Sequence, residues 1–183
     1  LDENLAWALG SKLLLVTVHR RENIGQPMYR IFSAIKKLVE DNADVKVIYP
    51  IHKNPAVREI AKEVFDGEER IRLIEPLDVV EFHNYMKKAY LIMTDSGGIQ
   101  EEAPALGKPV CVLRDTTERP EGIEAGTAKL LGTDKNIIYQ EVSRLLTDSK
   151  EYEKMSSISN PYGDGLAAKR IVALIMSFNL NEK

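Results

Sequence analysis

Tyr90-Leu91-Ile92-Met93-Thr94-Asp95-Ser96-Gly97-Gly98-Ile99-Gln100-Glu101-Glu102 carries the chain out of an apolar run, through two glycines and into a helical pattern. A short apolar run closed by a turn signal reads as a strand buried on both faces. A helix expected over 98–106 then starts with free backbone N–H groups and a partial positive charge at its first turn. Strand, small residues, helix start is the repeating step of a doubly wound sheet.

The same step recurs on either side. Leu13–Val18, Val45–Ile51, Ile71–Ile74 and Pro109–Leu113 are further apolar runs, and Ala128–Leu131 is a weaker sixth. Between them lie helical stripes. Met28, Ile31, Phe32, Ile35, Leu38 and Val39 recur at three- and four-residue steps behind Pro27, which suits a first turn. Val57, Ile60, Ala61 and Val64 do so over Pro55–Phe65, with Gly67 as the stop. Asp78 is placed to cap a helix holding Val79, Phe82, Tyr85, Met86 and Ala89. Ile137–Leu146 and Leu166–Phe178 complete the set, with Asn160–Gly165 as a turn-rich break. The fold class is α/β: a doubly wound, mostly parallel, Rossmann-like sheet of about six strands in one domain spanning 1–183. In such sheets ligands bind beyond the carboxyl ends of the strands, so the loops after Val18, Ile51, Ile74, Thr94 and Leu113 are the places to search.

Composition narrows the partners. With 25 basic and 28 acidic side chains the net charge is −3, too weak a field to gather nucleic acid or an anionic membrane, so an anionic ligand needs a local site. No apolar run approaches the ~20 residues that span a bilayer. Leu1–Gly10 lacks the basic start and apolar core of a signal peptide, which points to the cytoplasm. A first residue other than Met points to a fragment or a processed chain. Cys111 is the one cysteine, so no intrachain disulfide forms, and it sits in an apolar run as a small hydrophobe.

Four loops carry candidate chemistry. At Asp95–Glu102 the glycines leave room for a phosphate, and Ser96 either caps the helix or gives its hydroxyl to that phosphate. Glu102 stands six residues on, ~9 Å along a helix, where a carboxylate can accept two ribose hydroxyls. The plainer reading is a tight turn needing small residues, with a solvated glutamate. His19-Arg20-Arg21-Glu22-Asn23 gathers polar side chains after the first strand, and His19 can donate to a diphosphate; a solvated loop is the alternative. Arg114-Asp115-Thr116-Thr117-Glu118-Arg119-Pro120-Glu121 offers in Arg119 a planar fork for oxyanions, or else an ordinary surface loop. His52, in Pro50-Ile51-His52-Lys53-Asn54-Pro55, binds an anion, acts as a base, or simply caps the next helix. Phe82 fits its helix's core stripe or offers a stacking face, and His83 reads as a surface histidine.

No Gly-x-Gly-x-x-Gly follows the first strand and no phosphate-loop lysine motif occurs, which argues against NAD and against ATP hydrolysis. No zinc-ligand spacing and no nucleophile elbow is present. Neither a metal nor a cofactor is expected.

Together the four loops, with Asn160-Pro161-Tyr162-Gly163-Asp164-Gly165, resemble the signature blocks of non-hydrolysing UDP-N-acetylglucosamine 2-epimerases, in order and over essentially the whole chain. The resemblance implies one half of a GT-B architecture, the C-terminal half. It implies that 1–10 is a linker remnant and that the helix over 166–178 packs on a missing N-terminal domain. It places Ser96, Gly97 and Gly98 at the diphosphate of UDP with His19 and Arg119 beside them, Glu102 at the ribose and Phe82 at the uracil. His19 then stabilises the leaving diphosphate, while the acid and base carboxylates have no counterpart in this chain. Arg20 and His52 match positions of an activating UDP-GlcNAc site in some members. The implied reaction interconverts UDP-GlcNAc and UDP-ManNAc by eliminating UDP and adding it back, in a homodimer, with this half inactive alone. A hydrolysing relative, a UDP-sugar glycosyltransferase and a stand-alone nucleotide-sugar binding domain are the rival expectations.

Overall fold

The computed structural model describes the backbone of residues 2–180 and the side chains of 2–178. Six strands form one sheet in the order β3-β2-β1-β4-β5-β6, where β1 is Lys12–Thr17, β2 Val45–Pro50, β3 Ile71–Ile74, β4 Leu91–Thr94, β5 Val110–Val112 and β6 Ala128–Leu130. Every pairing is parallel. All six expected runs are strands, each within a residue or two of its expected ends.

Alternation along β1 shows why both faces must be covered. Leu14 and Val16 point into one core layer with Met28, Ile31, Phe32 and Ile35, while Leu13 and Leu15 point into the other with Met86, Ile92 and Val110. The first layer is roofed by α2 (Gln26–Asp41) and α3 (Pro55–Phe65), with α7 (Lys135–Thr147) beside α2. The second is covered by α1 (Glu3–Trp7), α4 (Val79–Lys88) and α5 (Gly97–Glu102), the last continued by a 3₁₀ turn over Ala103–Leu106. The edge strand β3 is half exposed, as an edge with one neighbour must be. Cys111 lies fully buried in β5, and burial pushes its thiol up to about 12, so it packs as a hydrophobe.

Several details differ from the expectations. The helix expected over 98–106 is two pieces, because Pro104 has no N–H to continue the α-helical ladder and the chain tightens into the 3₁₀ turn. Val79, expected on the buried stripe of α4, is 71% exposed in its first turn. Residues 2–10 of the stretch read as a linker remnant carry α1, held by Leu5 in the core and by cation–π contacts of Lys46 and Arg72 with Trp7; Leu1 lies outside the described residues. Two polar helices carried no periodic signal: α6 (Pro120–Ala125) and α8 (Ser149–Ser156), the latter capped by Asp148. The last helix, α9, covers Ala167–Leu180. Among the described residues no helix is long and apolar enough to cross a membrane.

The chain runs from β1 outward to β2 and β3, then returns past β1 to β4 and continues the other way. The order therefore reverses between β1 and β4, and loops diverging there leave a crevice at the carboxyl ends.

Candidate functional site

That crevice is built first by β1 and β4 ending side by side. Thr17 and Thr94 pair in register, and their hydroxyls share a 2.6 Å hydrogen bond. The Ser96 N–H donates to Thr94 Oγ1 at 2.9 Å, which swings the chain into α5. Ser96 is the residue preceding α5, yet its side chain makes no capping bond, so its hydroxyl is not spent on the helix. Gly97 and Gly98 do not have positive φ. A Cβ at either would meet nothing closer than 3.7 Å. The turn itself therefore does not demand glycine at these two positions, and the tight-turn reading loses its physical reason.

Asp95 sets the opposing loop. It is fully buried, and its Oδ2 accepts from the N–H of His19 at 2.9 Å, the N–H of Arg20 at 2.8 Å and Asn23 Nδ2 at 3.0 Å. One carboxylate oxygen thus clamps the loop after β1 against the loop after β4.

The crevice holds a cavity of about 340 Å³ whose lining includes His19, His52, Phe82, Ser96, Gly98 and Glu102. Phe82 is half-buried, with its inner side on the core and its outer side on the cavity. His52 stands beside His19 at 5.3 Å between ring centroids. Its Nδ1 accepts from the Asn54 N–H at 3.1 Å, which leaves Nε2 as the free polar atom of the ring. Asn54, not His52, caps α3. Val79, Asp78 and His83 close the outer wall.

Arg119, Gly97 and Arg20 are not on this lining. Arg119 lies behind Gly97, its Nε bonded to Glu101 and its Nη1 to the Glu118 carbonyl at 3.1 Å. The Glu101 carboxylate holds the guanidinium pKa above its ordinary value. Arg20 turns its Nε to the Asp95 carbonyl at 3.2 Å.

Several positioning residues carry no periodicity signal. Gln100 is buried and bridges the two loops, donating to the Ser96 carbonyl at 3.2 Å and accepting from Thr117 Oγ1 at 2.7 Å. Thr117 in turn accepts from the Arg119 N–H at 3.1 Å. Arg114, itself buried, joins Glu22 to Glu118 and holds the Glu118 carboxyl at about 2. His83, read as a surface residue, is half exposed but bonds Glu102 at 2.9 Å. The readable hint was Asp95: an acid directly continuing a strand that is apolar but for Thr94 is buried only when several donors meet it.

A second cavity, about 620 Å³, lies between α4, α5 and the Asn160–Gly165 turn, on the far side of His83. Among the described residues no three His, Cys, Asp or Glu side chains gather as a metal site.

Comparison with known proteins bears on this geometry. The family model described as UDP-N-acetylglucosamine 2-epimerase matches residues 2–176. The UDP-N-acetylglucosamine 2-epimerase of Bacillus subtilis is 61% identical over 88% of this chain and 42% of its own length. The S. aureus MnaA–UDP co-structure aligns over 98% of this chain and 49% of that one, with a TM-score of 0.93 and 53% identity. A Neisseria meningitidis UDP-GlcNAc 2-epimerase bound to UDP-GlcNAc aligns over 96% of this chain and 48% of that one, with a TM-score of 0.88 and 42% identity. The chain spans about half the length of the curated relatives it matches.

Proposed function

The chain belongs to the UDP-N-acetylglucosamine 2-epimerase family, and from that membership we propose that it is the UDP-binding half of an enzyme interconverting UDP-GlcNAc and UDP-ManNAc. The observation that carries the reading is the crevice between β1 and β4, where a serine hydroxyl uncommitted to its helix, Gly98 (a glycine that packing does not require, with Gly97 next to it in the chain), an imidazole, an aromatic face and a carboxylate share one cleft. Ligands named for the two solved relatives, UDP and UDP-GlcNAc, fit that set of groups.

In this reading Ser96, Gly97 and Gly98 hold the diphosphate, His19 donates to it, Phe82 lies on the uracil and Glu102 accepts the ribose hydroxyls. Arg119 reaches the diphosphate past Gly97 once it exchanges Glu101 for a phosphate oxygen. The C2 proton goes to a base and its bonding pair forms the C1=C2 bond of a glycal, while the bond from the sugar to UDP breaks and negative charge grows on the diphosphate. Donors fixed beforehand stabilise that charge most when it is largest, which lowers the barrier rather than merely tightening binding. UDP then adds back to the glycal with C2 inverted. Proton transfer at C2 needs carboxylates on the sugar side, and in this reading the other half supplies them. His52, beside His19, and Arg20 belong to a neighbouring UDP-GlcNAc site that regulates the enzyme. The apolar side chains of α9 pack on the other half, and the intact enzyme is a cytoplasmic homodimer.

Calorimetric titration with UDP, with AMP as control, tests the reading. Saturable UDP binding that AMP does not match, weakened on the order of tenfold by Arg119→Ala through loss of charge-assisted hydrogen bonds, is expected. A folded chain that binds UDP no better than AMP overturns it.

A further inference from the structure

We propose that His83 is a positioning residue that holds Glu102 in the orientation that accepts the ribose, so that α4 recognises the nucleoside through two adjacent side chains. The inference rests on the UDP reading above and names a group that reading leaves unused.

Glu102 is a glutamate about half exposed at the end of a six-residue helix. Left alone, such a side chain samples many rotamers, and a ligand that needs one of them bears the ordering entropy at binding. His83 removes that freedom: its Nε2 lies 2.9 Å from Glu102 Oε2. An ionised carboxylate only accepts, so Nε2 carries the hydrogen. The bond uses one lone pair of Oε2 and leaves Oε1, which lies beside Gly98, entirely free for hydroxyls.

The backbone that carries the imidazole is itself held. Its helix begins in a capping box, in which Asp78 Oδ1 accepts from the Glu81 N–H at 2.8 Å and Glu81 Oε2 accepts from the Asp78 N–H at 3.2 Å. Phe82 anchors the next position by packing on the core. His83 and Glu102 each line both cavities, so the bonded pair stands between them. The neighbouring carboxylates are sorted by partner: Glu101 is held by Arg119 behind Gly97, and Glu102 by His83 at the cleft. Phe82 and His83 thereby tie the base face and the ribose acceptor to one helical turn.

The test compares UDP with its 2′,3′-dideoxy analogue by calorimetry on the unmodified chain, His83→Ala and His83→Gln, with melting curves recorded for each. Glutamine carries an amide N–H about as far from the backbone as Nε2. The expected result is that His83→Ala weakens UDP roughly three- to fivefold, the scale of an exposed pair, and leaves the dideoxy analogue unchanged. His83→Gln restores most of the loss. Equal weakening of both ligands, or no weakening of either, in a variant that melts normally overturns the inference while leaving the UDP reading intact. Failure of the unmodified chain to prefer UDP over AMP overturns both.

Discussion

Asp95 shows how one residue can build a site it does not touch. Its Oδ2 takes three donors, two of them backbone N–H groups that no helix or strand satisfies. Asn at this position keeps the shape and loses the charge, which roughly halves each bond's strength. Asp95→Asn is expected to cost about 1–2 kcal/mol, and Asp95→Ala more, because alanine leaves buried donors orphaned. Urea denaturation measures both; two variants as stable as the parent would show that the clamp is not what holds the loop after β1. Arg119 makes the complementary point. Its place behind Gly97 follows from Thr117, two residues before it, and from Glu101, eighteen residues before it, which the fold brings to its side chain.

At the scale of the element, α4 and α5 form the two walls of the cleft, and each is set by its first residues. The α4 capping box fixes the turn that carries Val79, Phe82 and His83. Asp78→Ala removes one side of that box and is expected to cost about 1 kcal/mol. The loss falls at the cleft, so UDP affinity drops along with the melting temperature. A variant with lowered melting temperature and unchanged UDP affinity would separate the wall from the ligand. Helix α5 depends instead on Thr94 and Gln100, which hold the backbone on either side of Ser96 and leave its hydroxyl uncommitted.

At the scale of the molecule two behaviours follow. The first is acid sensitivity. Pairing with Arg114 holds the Glu118 carboxyl at about 2, and hydrogen bonds from Tyr85, Lys12 and Arg58 hold Asp2, Asp44 and Glu75 below their ordinary values. A carboxyl whose folded pKa is depressed stabilises the fold above its unfolded pKa, and that contribution disappears as pH falls through the folded value. Stability is therefore expected to decline from roughly pH 4.5 toward pH 2, most clearly at low salt because these pairs are exposed. Denaturation midpoints recorded across that window check it, and a flat profile would count against it. The second concerns α9, where Ile171, Val172, Leu174, Ile175, Met176 and Phe178 are all more than half exposed. An apolar surface of this kind calls for a cover. The chain by itself is expected to associate as concentration rises, and Val172→Glu with Ile175→Glu to abolish this. Sedimentation that gives a monomer at every concentration would refute it.

What the amino-acid sequence determined by itself is the order of strands and helices and the loops in which to search. Those follow from local chemistry: β1 and β4 are apolar runs of strand length, α2 and α3 bury stripes at helical spacing, and Pro27, Asp78 and Gly67 mark ends by their own backbone and capping preferences. The helices α6 and α8 escaped because each is short and polar, held by neighbours rather than by an apolar stripe. Tertiary structure alone decided which of the searched residues meet. His19, His52, Phe82, Ser96, Gly98 and Glu102 share a cleft, while Arg20, Gly97 and Arg119 stand outside its lining, and His83 is a partner of Glu102 rather than a bystander. The physical reason is distance along the chain. Periodicity reports which face of its own element a residue occupies, and it cannot report which side chain, tens of residues away, the pairing of β1 with β4 brings within hydrogen-bond reach.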